Sequence, residues 1–420
     1  MRLFRPLRRP EIALLWGGQT LSALGDQLYA VALSWIAVEV LGANAGYLTA
    51  LQAAVMLLAA LGIGRWADRW APLSSMIGAD LARAAILLLV VALWSATGQP
   101  SFLQLAGAIL VLSLGETVFG PALHSVLPAL VEDRTLLPAA NGLLDATARS
   151  ARLLGPGLVA LLGGVLPLMH FLSLDAASFL ASAAALALIG RRRALPAAPS
   201  RADIAAGGKL RGVRAMAAHP LLFNMLCTAG LLNGAWYAVF YLAVPLLIAT
   251  HGIAGPSGSG LGAYGLVISA YGCTNLATTL VIGSRAPSAR PQFQIFGGNL
   301  VMAAGMGVMA LAATVLPTDW ILAGLAAGAS LGAIGGPMQD IPRAVLWQTR
   351  LSRAELPAAM RAYLVMSAGG VLLAMLMAPA ACRLVGTTSV VAGCALIYLA
   401  TAVIGLMLHA GWREIEPQAA

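Results

Sequence analysis

The sequence has few charged residues for its length. Asp, Glu, Lys and Arg make up only 10% of its 420 residues, whereas hydrophobic residues make up 60%. Soluble globular chains carry about 25% charged and roughly 45–50% apolar residues. A soluble fold of this size would need more charge to cover its surface. The composition therefore excludes a soluble enzyme, a disordered chain and a coiled coil, and it indicates a membrane protein with several spans.

Cysteine is also scarce, and common catalytic signatures are missing. The four cysteines lie inside apolar runs and form no C-x-x-C pair. Neither a disulfide framework nor a metal site is therefore expected. A G-x-G-x-x-G match at 260–265 follows no predicted strand, and a G-x-S-x-G match at 328–332 lies inside an apolar run. Neither has the strand–turn–helix context that dinucleotide binding or a nucleophile elbow requires, so no cofactor is expected.

Twelve apolar runs are long enough to cross a bilayer, which takes about 20 residues in a helix. Runs such as 86–94 do not alternate between polar and apolar residues, as the strands of a membrane β-barrel do. The sequence therefore predicts an all-α membrane protein with twelve transmembrane helices. The predicted spans are 12–38, 45–64, 74–96, 102–127, 138–163, 168–189, 220–249, 261–283, 293–315, 319–344, 357–382 and 387–409.

The basic residues predict the orientation of these spans. Arg2, Arg5, Arg8 and Arg9 precede the first span, and most other basic residues fall in the even-numbered links, whereas the opposite links carry only Arg383. Because cytoplasmic loops are enriched in Lys and Arg, both termini are predicted to be cytoplasmic. The net charge of +9 is then a consequence of topology. No nucleic-acid partner is expected, since the basic residues do not cluster on a soluble module.

One polar stretch, residues 191–219, divides the predicted spans six to six. The two halves also contain similar short segments: Gly120-Pro121 and 137-LPAAN-141 in the first, Gly336-Pro337 and 356-LPAAM-360 in the second. Such pairs, about half the chain apart, favour a duplicated six-span unit. The predicted organisation is an amino-terminal six-helix bundle at 1–190, a cytoplasmic linker at 191–219 and a carboxy-terminal six-helix bundle at 220–420.

The link after span two carries a recognisable charged motif, 64-GRWADRWAP-72. Its G-x-x-x-D-R pattern, with twelve spans and a central linker, resembles the major facilitator superfamily, although Ala71, Pro72 and Leu73 replace the usual Gly and two basic residues. Asp80 and Arg83 follow on span three, one turn apart. Such charges can hold a cytoplasmic gate closed by pairing; a plain membrane-interface charge cluster is the alternative. The predicted gate residues are Gly64, Asp68, Arg69, Asp80 and Arg83.

Span five resembles the helix that carries a motif of exporters in this superfamily. Gly142, Gly155 and Pro156 match that motif, and Gly155-Pro156 is predicted to kink the helix because proline removes a backbone donor. Ala151 and the pair at 159–160 depart from its glycines, and a packing kink without directional meaning is the alternative.

Four further segments indicate a branch of the family. They are similar to the branch of macrolide efflux pumps and the enterobactin exporter: 21-LSALGDQLYAVALSW-35, 119-FGPALHSVLPALV-131, 137-LPAANGLLDA-146 and 172-LSLDAASFL-180. The resemblance implies the major facilitator fold in the bacterial inner membrane. It also implies export of a small amphiphilic molecule, a siderophore-like metabolite or drug, by proton antiport, with the proton gradient in place of a cofactor. Proton-coupled uptake of a siderophore or lysolipid is the alternative.

Several charged residues are predicted to lie inside the membrane. Asp26 and Glu116 lie near the middle of spans one and four, and Asp145 lies one turn from Arg149 on span five. Such groups are costly in lipid and usually face a water-filled path or a partner. A carboxylate that alternates between an Arg partner and a drier setting can bind and release a proton, so we predict proton coupling for these three acids. For Asp145, a structural i,i+4 pair with Arg149 is the alternative. Asp175 and Glu39, toward the outer face, are interpreted as structural.

Other polar residues inside the spans are predicted to contact the substrate. Asp26 shares one face of span one with three of them, at helical spacing. Ordinary helix packing is the alternative for each, and a membrane-embedded enzyme is disfavoured because no nucleophile–base pair is evident. Nothing in the sequence requires more than a monomer. The predicted substrate contacts are Gln19, Ser22, Tyr29, Arg149, Arg152, Asn233, Trp236, Tyr237, Tyr241 and Asn275.

Overall fold

The computed structural model describes residues 5–61, 71–131, 136–192, 211–284, 288, 290–352, 355–409 and 411. These residues are almost entirely helical and include no strand. The helices are α1 (Pro10–Leu41), α2 (Gly46–Ala60), α3 (Pro72–Thr97), α4 (Phe102–Leu130), α5 (Leu137–Leu162), α6 (Leu168–Arg192), α7 (Arg211–Ala217), α8 (Pro220–Tyr237), α9 (Val244–Thr250), α10 (Gly260–Gly283), α11 (Pro291–Val315), α12 (Thr318–Arg350), α13 (Leu356–Val385) and α14 (Thr387–His409).

Ten helical segments of the described chain are long and apolar enough to cross a membrane. The first of them, Pro10–Ala60, contains both α1 and α2, joined by a 3₁₀ turn at Gly42–Ala45. Helix α5, which the sequence predicts as the fifth span, is not among the ten. Its charged residues make it more polar than its neighbours. A multi-pass helical membrane protein is therefore confirmed, while the count of twelve spans and the cytoplasmic termini stay predictions.

Local sequence signals explain where many helices begin. Proline occupies the first turn of α1, α3, α8 and α11, where its missing N–H group leaves no hydrogen bond unmade. Ser101 caps α4 by accepting a hydrogen bond from the Gln104 amide, and the Gln104 side chain accepts one from the Ser101 amide in return. Helix α3 ends at Gly98, whose φ of 83° is readily adopted only by glycine.

The chain divides into two compact units. Unit 1 comprises residues 1–205 together with 254–265, and unit 2 comprises residues 206–253 and 266–420. In unit 1, α1 packs against α5 and α6, α3 packs against α4 and α6, and α2 packs against α4. An apolar core at one end of this unit includes Leu15, Met76, Phe119, Leu127 and Ile189.

The short segment 254–265 belongs to unit 1 although it comes from the second half of the sequence. It includes the first residues of α10, which lie against α5 and α1. A Cβ atom at Gly265 would lie 2.8 Å from the Ala160 amide nitrogen and 2.9 Å from the Pro156 carbonyl oxygen, so glycine allows the two backbones to meet. The glycines of the G-x-G-x-x-G match thus serve helix packing in the structure.

In unit 2, α11 packs against α12 and α14, and α13 packs against α7 and α8. Between α8 and α9 the chain forms a π-helix at Ala238–Ala243. The predicted seventh span is therefore one continuous helical segment with a change of helix type in its second half. π-helical turns occur often at functional sites.

The internal repeat is visible in the helices. The segments 137-LPAAN-141 and 356-LPAAM-360 each begin a helix, α5 and α13 respectively. Gly120 is the nineteenth residue of α4, which precedes α5. Gly336 is likewise the nineteenth residue of α12, which precedes α13. The two copies thus stand at equivalent points of equivalent helices. The boundaries 1–190, 191–219 and 220–420 stay predictions.

Large apolar side chains cover much of the surface. Leu103, Leu384 and Met407 are 79%, 83% and 79% exposed. Exposed apolar side chains in this number are unfavourable in water and suit the hydrocarbon core of a bilayer, where the backbone polar groups must be satisfied within helices.

Candidate functional site

Four ionisable side chains come together inside unit 1, and we call them the acid–arginine cluster: Asp26 on α1, Asp80 and Arg83 on α3, and Asp175 on α6. Asp80 and Asp175 are both 0% exposed, Arg83 is 5% exposed, and Asp26 is partly buried. They converge because α6 packs against both α1 and α3. Among the side chains that the structure describes, three carboxyl groups therefore share the interior of this unit with one guanidinium group.

Asp80 and Arg83 form the only ion pair of the cluster that falls within 4 Å among the described residues. Arg83 Nη1 lies 3.7 Å from Asp80 Oδ1, an i,i+3 pair on one helix, as their spacing predicts. Neither Asp80 oxygen accepts a hydrogen bond of good geometry within the described chain, and Arg83 Nε donates none. Asp80 and Arg83 are therefore close but lack a well-oriented hydrogen bond, so Arg83 can also interact with other acids.

Aromatic rings enclose the guanidinium group of Arg83. Its Cζ atom lies 5.5 Å from the centre of the Phe119 ring and 5.1 Å from that of Phe179. Such cation–π contacts stabilise a buried arginine that has few hydrogen-bond partners. The side chain passes directly over Gly115 of α4, where any Cβ atom would overlap it. Glycine at this position creates the space for the arginine.

Asp175 is held by its own helix and by the close approach of α1. The Ser178 hydroxyl donates to the Asp175 carbonyl oxygen at 2.8 Å and lies 3.3 Å from Oδ1. The other oxygen, Oδ2, has no partner among the described residues. A Cβ atom at Gly25 would lie only 2.6 Å from Asp175 Oδ1, so glycine at this position lets α1 reach the carboxyl group.

Asp26 and Tyr29 bring the α1 side of the cluster together. Asp26 is within electrostatic range of Arg83, Glu116 and Asp80. Tyr29 is buried beside Asp175 and Asp26, and its hydroxyl has no hydrogen-bond partner among the described residues. Among the described side chains, Asp26 thus meets Arg83 of α3, and its role in proton coupling stays a prediction.

The structure places the other predicted coupling and gate residues in different settings. Glu116, midway along α4, and Arg152 on α5 are exposed. The side chains of Asp145 and Arg149 lie outside the part of the chain that the structure describes, as do Gly64, Asp68 and Arg69 entirely. Asp80 and Arg83 lie inside unit 1, so whether they act with the motif at 64–69 as a gate stays a prediction.

The predicted polar stripe on α1 faces α6. Gln19 donates to Ser182 Oγ at 3.4 Å, and Ser22 and Tyr29 are buried. Gly18, in line with Ser22, packs against Ser182. These contacts account for the stripe as part of a helix–helix interface, and a direct role in substrate binding stays a prediction for all three polar residues.

Unit 2 contains a second candidate patch, which we call the aromatic cluster: Trp236, Tyr237, Phe240, Tyr241 and Tyr271. The Trp236 indole N–H donates to the Tyr271 hydroxyl at 3.2 Å. The Trp236 ring centre lies 5.2–5.9 Å from the other four rings, and Tyr237 stacks on Tyr241 at 5.0 Å. Four of the five side chains are partly exposed, whereas Phe240 is buried.

The predicted amides of unit 2 are engaged in helix contacts. Asn233 donates to the Ala229 carbonyl of its own helix at 2.9 Å, and Asn275 donates from α10 to the Ala333 carbonyl of α12 at 3.2 Å. Both side chains are partly exposed and keep a carbonyl oxygen for other partners. Their role in substrate binding stays a prediction.

The predicted kink residues lie inside α5, which continues through Pro156. Gly155 packs against the Gln27 side chain of α1 and Pro156 against the first residues of α10, so both residues are packing points within unit 1. No group of three or more His, Cys, Asp or Glu residues in the described chain is arranged to hold a metal ion.

A family model of the major facilitator superfamily matches residues 15–342, well over half of the chain. The chain therefore belongs to the major facilitator superfamily, and it is a transporter rather than an enzyme. A search of curated proteins finds no significant match.

Solved structures with the same fold include transporters of several kinds. An auto-inhibited POT family peptide transporter superposes with a TM-score of 0.70 at 12% identity, covering 98% of this chain and 99% of that one. A bacterial homologue of the iron transporter ferroportin, solved in an inward-facing state, gives a TM-score of 0.70 at 14% identity, with 97% and 99% covered. A bacterial metal transporter gives 0.62 at 14% identity, with 95% and 98% covered. At these identities the likeness shows the fold alone.

Proposed function

We propose that this protein is a secondary active transporter of the bacterial inner membrane. It exports a small amphiphilic molecule, a siderophore-like metabolite or a drug, in exchange for protons. Its two six-helix bundles expose the substrate alternately to each side of the membrane. The chain acts as a monomer with twelve spans and cytoplasmic termini, and the proton gradient supplies the energy.

The acid–arginine cluster carries the proton part of the proposal. Asp26 lies near the middle of α1, within electrostatic range of both Arg83 and Glu116. Charged groups at this depth are costly unless they serve a partner or an ion pathway. A carboxylate that shares one arginine with other acids can release that arginine when it binds a proton. This competition couples proton binding to a rearrangement of unit 1.

The aromatic cluster and the exposed charges support an amphiphilic substrate. Partly exposed aromatic rings offer apolar and cation–π contacts to a flat or cationic molecule. Glu116 and Arg152 are exposed at positions inside predicted spans, where charged side chains usually face a water-filled path. The resemblance of Gly142, Gly155 and Pro156 to an exporter motif favours the outward direction.

Inside-out vesicles with an acidic interior test this function. A panel of drugs and siderophores is added, and substrate-induced alkalinisation of the interior is recorded for the wild type and for Asp26→Asn. We expect alkalinisation with one class of compound and its loss in the variant, because an amide cannot carry the proton. Asp319→Asn, which changes an exposed acid in the first turn of α12, is the matched control and should keep the signal.

One outcome would contradict export by antiport, and a second would contradict the assignment of coupling to Asp26. One is accumulation of a compound inside right-side-out vesicles under an inward proton gradient, which would establish uptake. The other is an unchanged signal in Asp26→Asn that is lost in Glu116→Gln, which would move coupling to α4. Size-exclusion profiles of each variant in detergent establish that the protein is folded.

A further inference from the structure

Asp175 is the member of the acid–arginine cluster that the proposed function leaves without a role. It is fully buried on α6, seven residues from the beginning of that helix. Asp26 and Tyr29 face it from α1, and Asp80 and Arg83 face it from α3. These are the titratable and charged side chains that the two neighbouring helices present to it.

The hydrogen bonding of Asp175 fits a neutral acid better than a carboxylate. Ser178 gives its better hydrogen bond to the backbone and only a 3.3 Å contact to Oδ1. Oδ2 receives no hydrogen bond from the described residues. An ionised carboxylate in such a place loses its hydration without compensating hydrogen bonds. A protonated carboxyl group carries no charge, so burying it costs less free energy.

The balance of charge within the cluster points to the same residue. In the described part of unit 1, three carboxyl groups share one guanidinium group, and Arg83 lies 3.7 Å from Asp80. One positive charge cannot neutralise three carboxylates, and unpaired buried charge is strongly disfavoured. Asp80 has Arg83 on its own helix, and Asp26 is partly exposed. Asp175 has neither of these compensations, so the neutral form is most favoured there.

We propose that Asp175 holds a proton in the interior of unit 1 and exchanges it with Asp26. The O–H bond of the Asp175 carboxyl group breaks and an O–H bond forms on the Asp26 carboxylate. One negative charge thereby moves from Asp26 to Asp175. Arg83 interacts with both carboxyl groups and stabilises whichever is ionised. The use of this proton in transport rests on the proposed function, whereas its presence on Asp175 does not.

Infrared difference spectroscopy of the purified full-length protein tests the proposal directly. Protonated carboxyl groups have a C=O stretching band that ionised carboxylates lack. We expect such a band at neutral pH in the wild type, shifted when the protein is grown with carbonyl-labelled aspartate. The band should disappear in Asp175→Asn and persist in the matched variant Asp319→Asn. Persistence of the band in Asp175→Asn would overturn the proposal.

A second pair of variants addresses folding and exchange. Asp175→Glu keeps an ionisable group, so its band should remain at a shifted frequency and respond to glutamate labelling instead. If Asp175→Asn fails to fold, this shift still assigns the band, and an unmoved band in Asp175→Glu would overturn the assignment. In Asp26→Asn the Asp175 carboxyl group has lost its proposed exchange partner. The intensity of its C=O band should therefore no longer change with pH in step with that of a second carboxyl group.

The vesicle assay separates this inference from the proposed function. One outcome is that the C=O band is lost in Asp175→Asn while no compound moves protons in wild-type vesicles. This result would support the proton site on Asp175 and contradict proton antiport. Proton-coupled export that is unchanged in Asp175→Asn would overturn the exchange of this proton with Asp26 during transport and would support the proposed function.

Discussion

Gly25 allows α1 to approach α6 at the acid–arginine cluster. A Cβ atom there would lie 2.5 Å from Ser178 Oγ and 2.6 Å from Asp175 Oδ1, which is closer than real contacts. Overpacking of this kind costs about 1–3 kcal/mol. We therefore expect Gly25→Ala to lower the apparent melting temperature in detergent. Gly17→Ala on the same helix is the matched control, because no atom lies within 4 Å of its added Cβ.

The two alanine variants should change stability in opposite directions. Replacing a helical glycine by alanine without steric conflict stabilises a helix by about 0.5–1 kcal/mol. Gly17→Ala should therefore melt at or above the wild-type temperature. Equal destabilisation by both variants would show that the close α1–α6 contact at Gly25 is not the cause of the lower melting temperature.

Arg83 provides the positive charge that the three carboxyl groups of the acid–arginine cluster share. Arg83→Gln removes that charge and both ring contacts, and breaking a buried ion pair by removing one partner costs about 3–5 kcal/mol. We expect a large loss of thermal stability, measured by the fraction of monodisperse protein that survives heating. Arg152→Gln, an exposed arginine of α5, should melt near the wild type.

A double variant distinguishes the charge effect from lost packing. Asp80→Asn combined with Arg83→Gln removes a charge of each sign, so it should be less destabilised than the sum of the single variants. Strict additivity of the two changes would show that the pair does not interact.

Sequence reasoning found part of this site. Asp26 was identifiable from its mid-span position, and the Asp80–Arg83 pair followed from i,i+3 spacing. The place of Asp175 in the cluster was missed because its sequence position alone suggests the outer end of a span. One signal was available: Asp175, Ser178 and Ser182 have helical spacing and form a buried polar stripe on α6, like the stripe on α1. Which stripes face each other depends on helix packing, which hydropathy does not encode.

At the scale of helices, boundaries were predicted well where Pro and Gly mark them. The sixth predicted span, 168–189, corresponds to α6 (Leu168–Arg192), and the ninth, 293–315, to α11 (Pro291–Val315). The π-helix at Ala238–Ala243 could not be predicted, because hydropathy does not distinguish a π-helical turn from an α-helical one.

The π-helix begins directly after two members of the aromatic cluster, Trp236 and Tyr237. Aromatic contacts contribute about 0.5–1.5 kcal/mol each beyond their buried area. If the cluster binds the transported molecule, Trp236→Ala should raise the half-saturating concentration about tenfold, as a loss of 1.4 kcal/mol predicts. Transport kinetics in vesicles measure this effect. Trp320→Ala, which changes an exposed tryptophan of α12, should leave the value unchanged.

At the scale of the whole molecule, the two units do not follow the midpoint of the sequence. Residues 254–265 belong to unit 1, where Gly265 meets Pro156 and Ala160 of α5. We expect two co-expressed fragments, divided in the predicted linker at residue 205, to purify together when only one carries an affinity tag. Gly265→Leu in the second fragment should reduce the recovered partner, and Gly283→Leu, at an open position of the same helix, should not.

The interleaving of residues 254–265 with unit 1 also concerns biosynthesis. Proteins fold from the amino terminus as they are made, at about 5–20 residues per second. The 60 residues between Ala205 and Gly265 therefore delay completion of unit 1 by about 3–12 s at that speed. During this interval the faces of α1 and α5 that later receive Gly260 and Gly265 lack their partner. We expect the nascent first bundle to be most open to chaperones and proteases in this window.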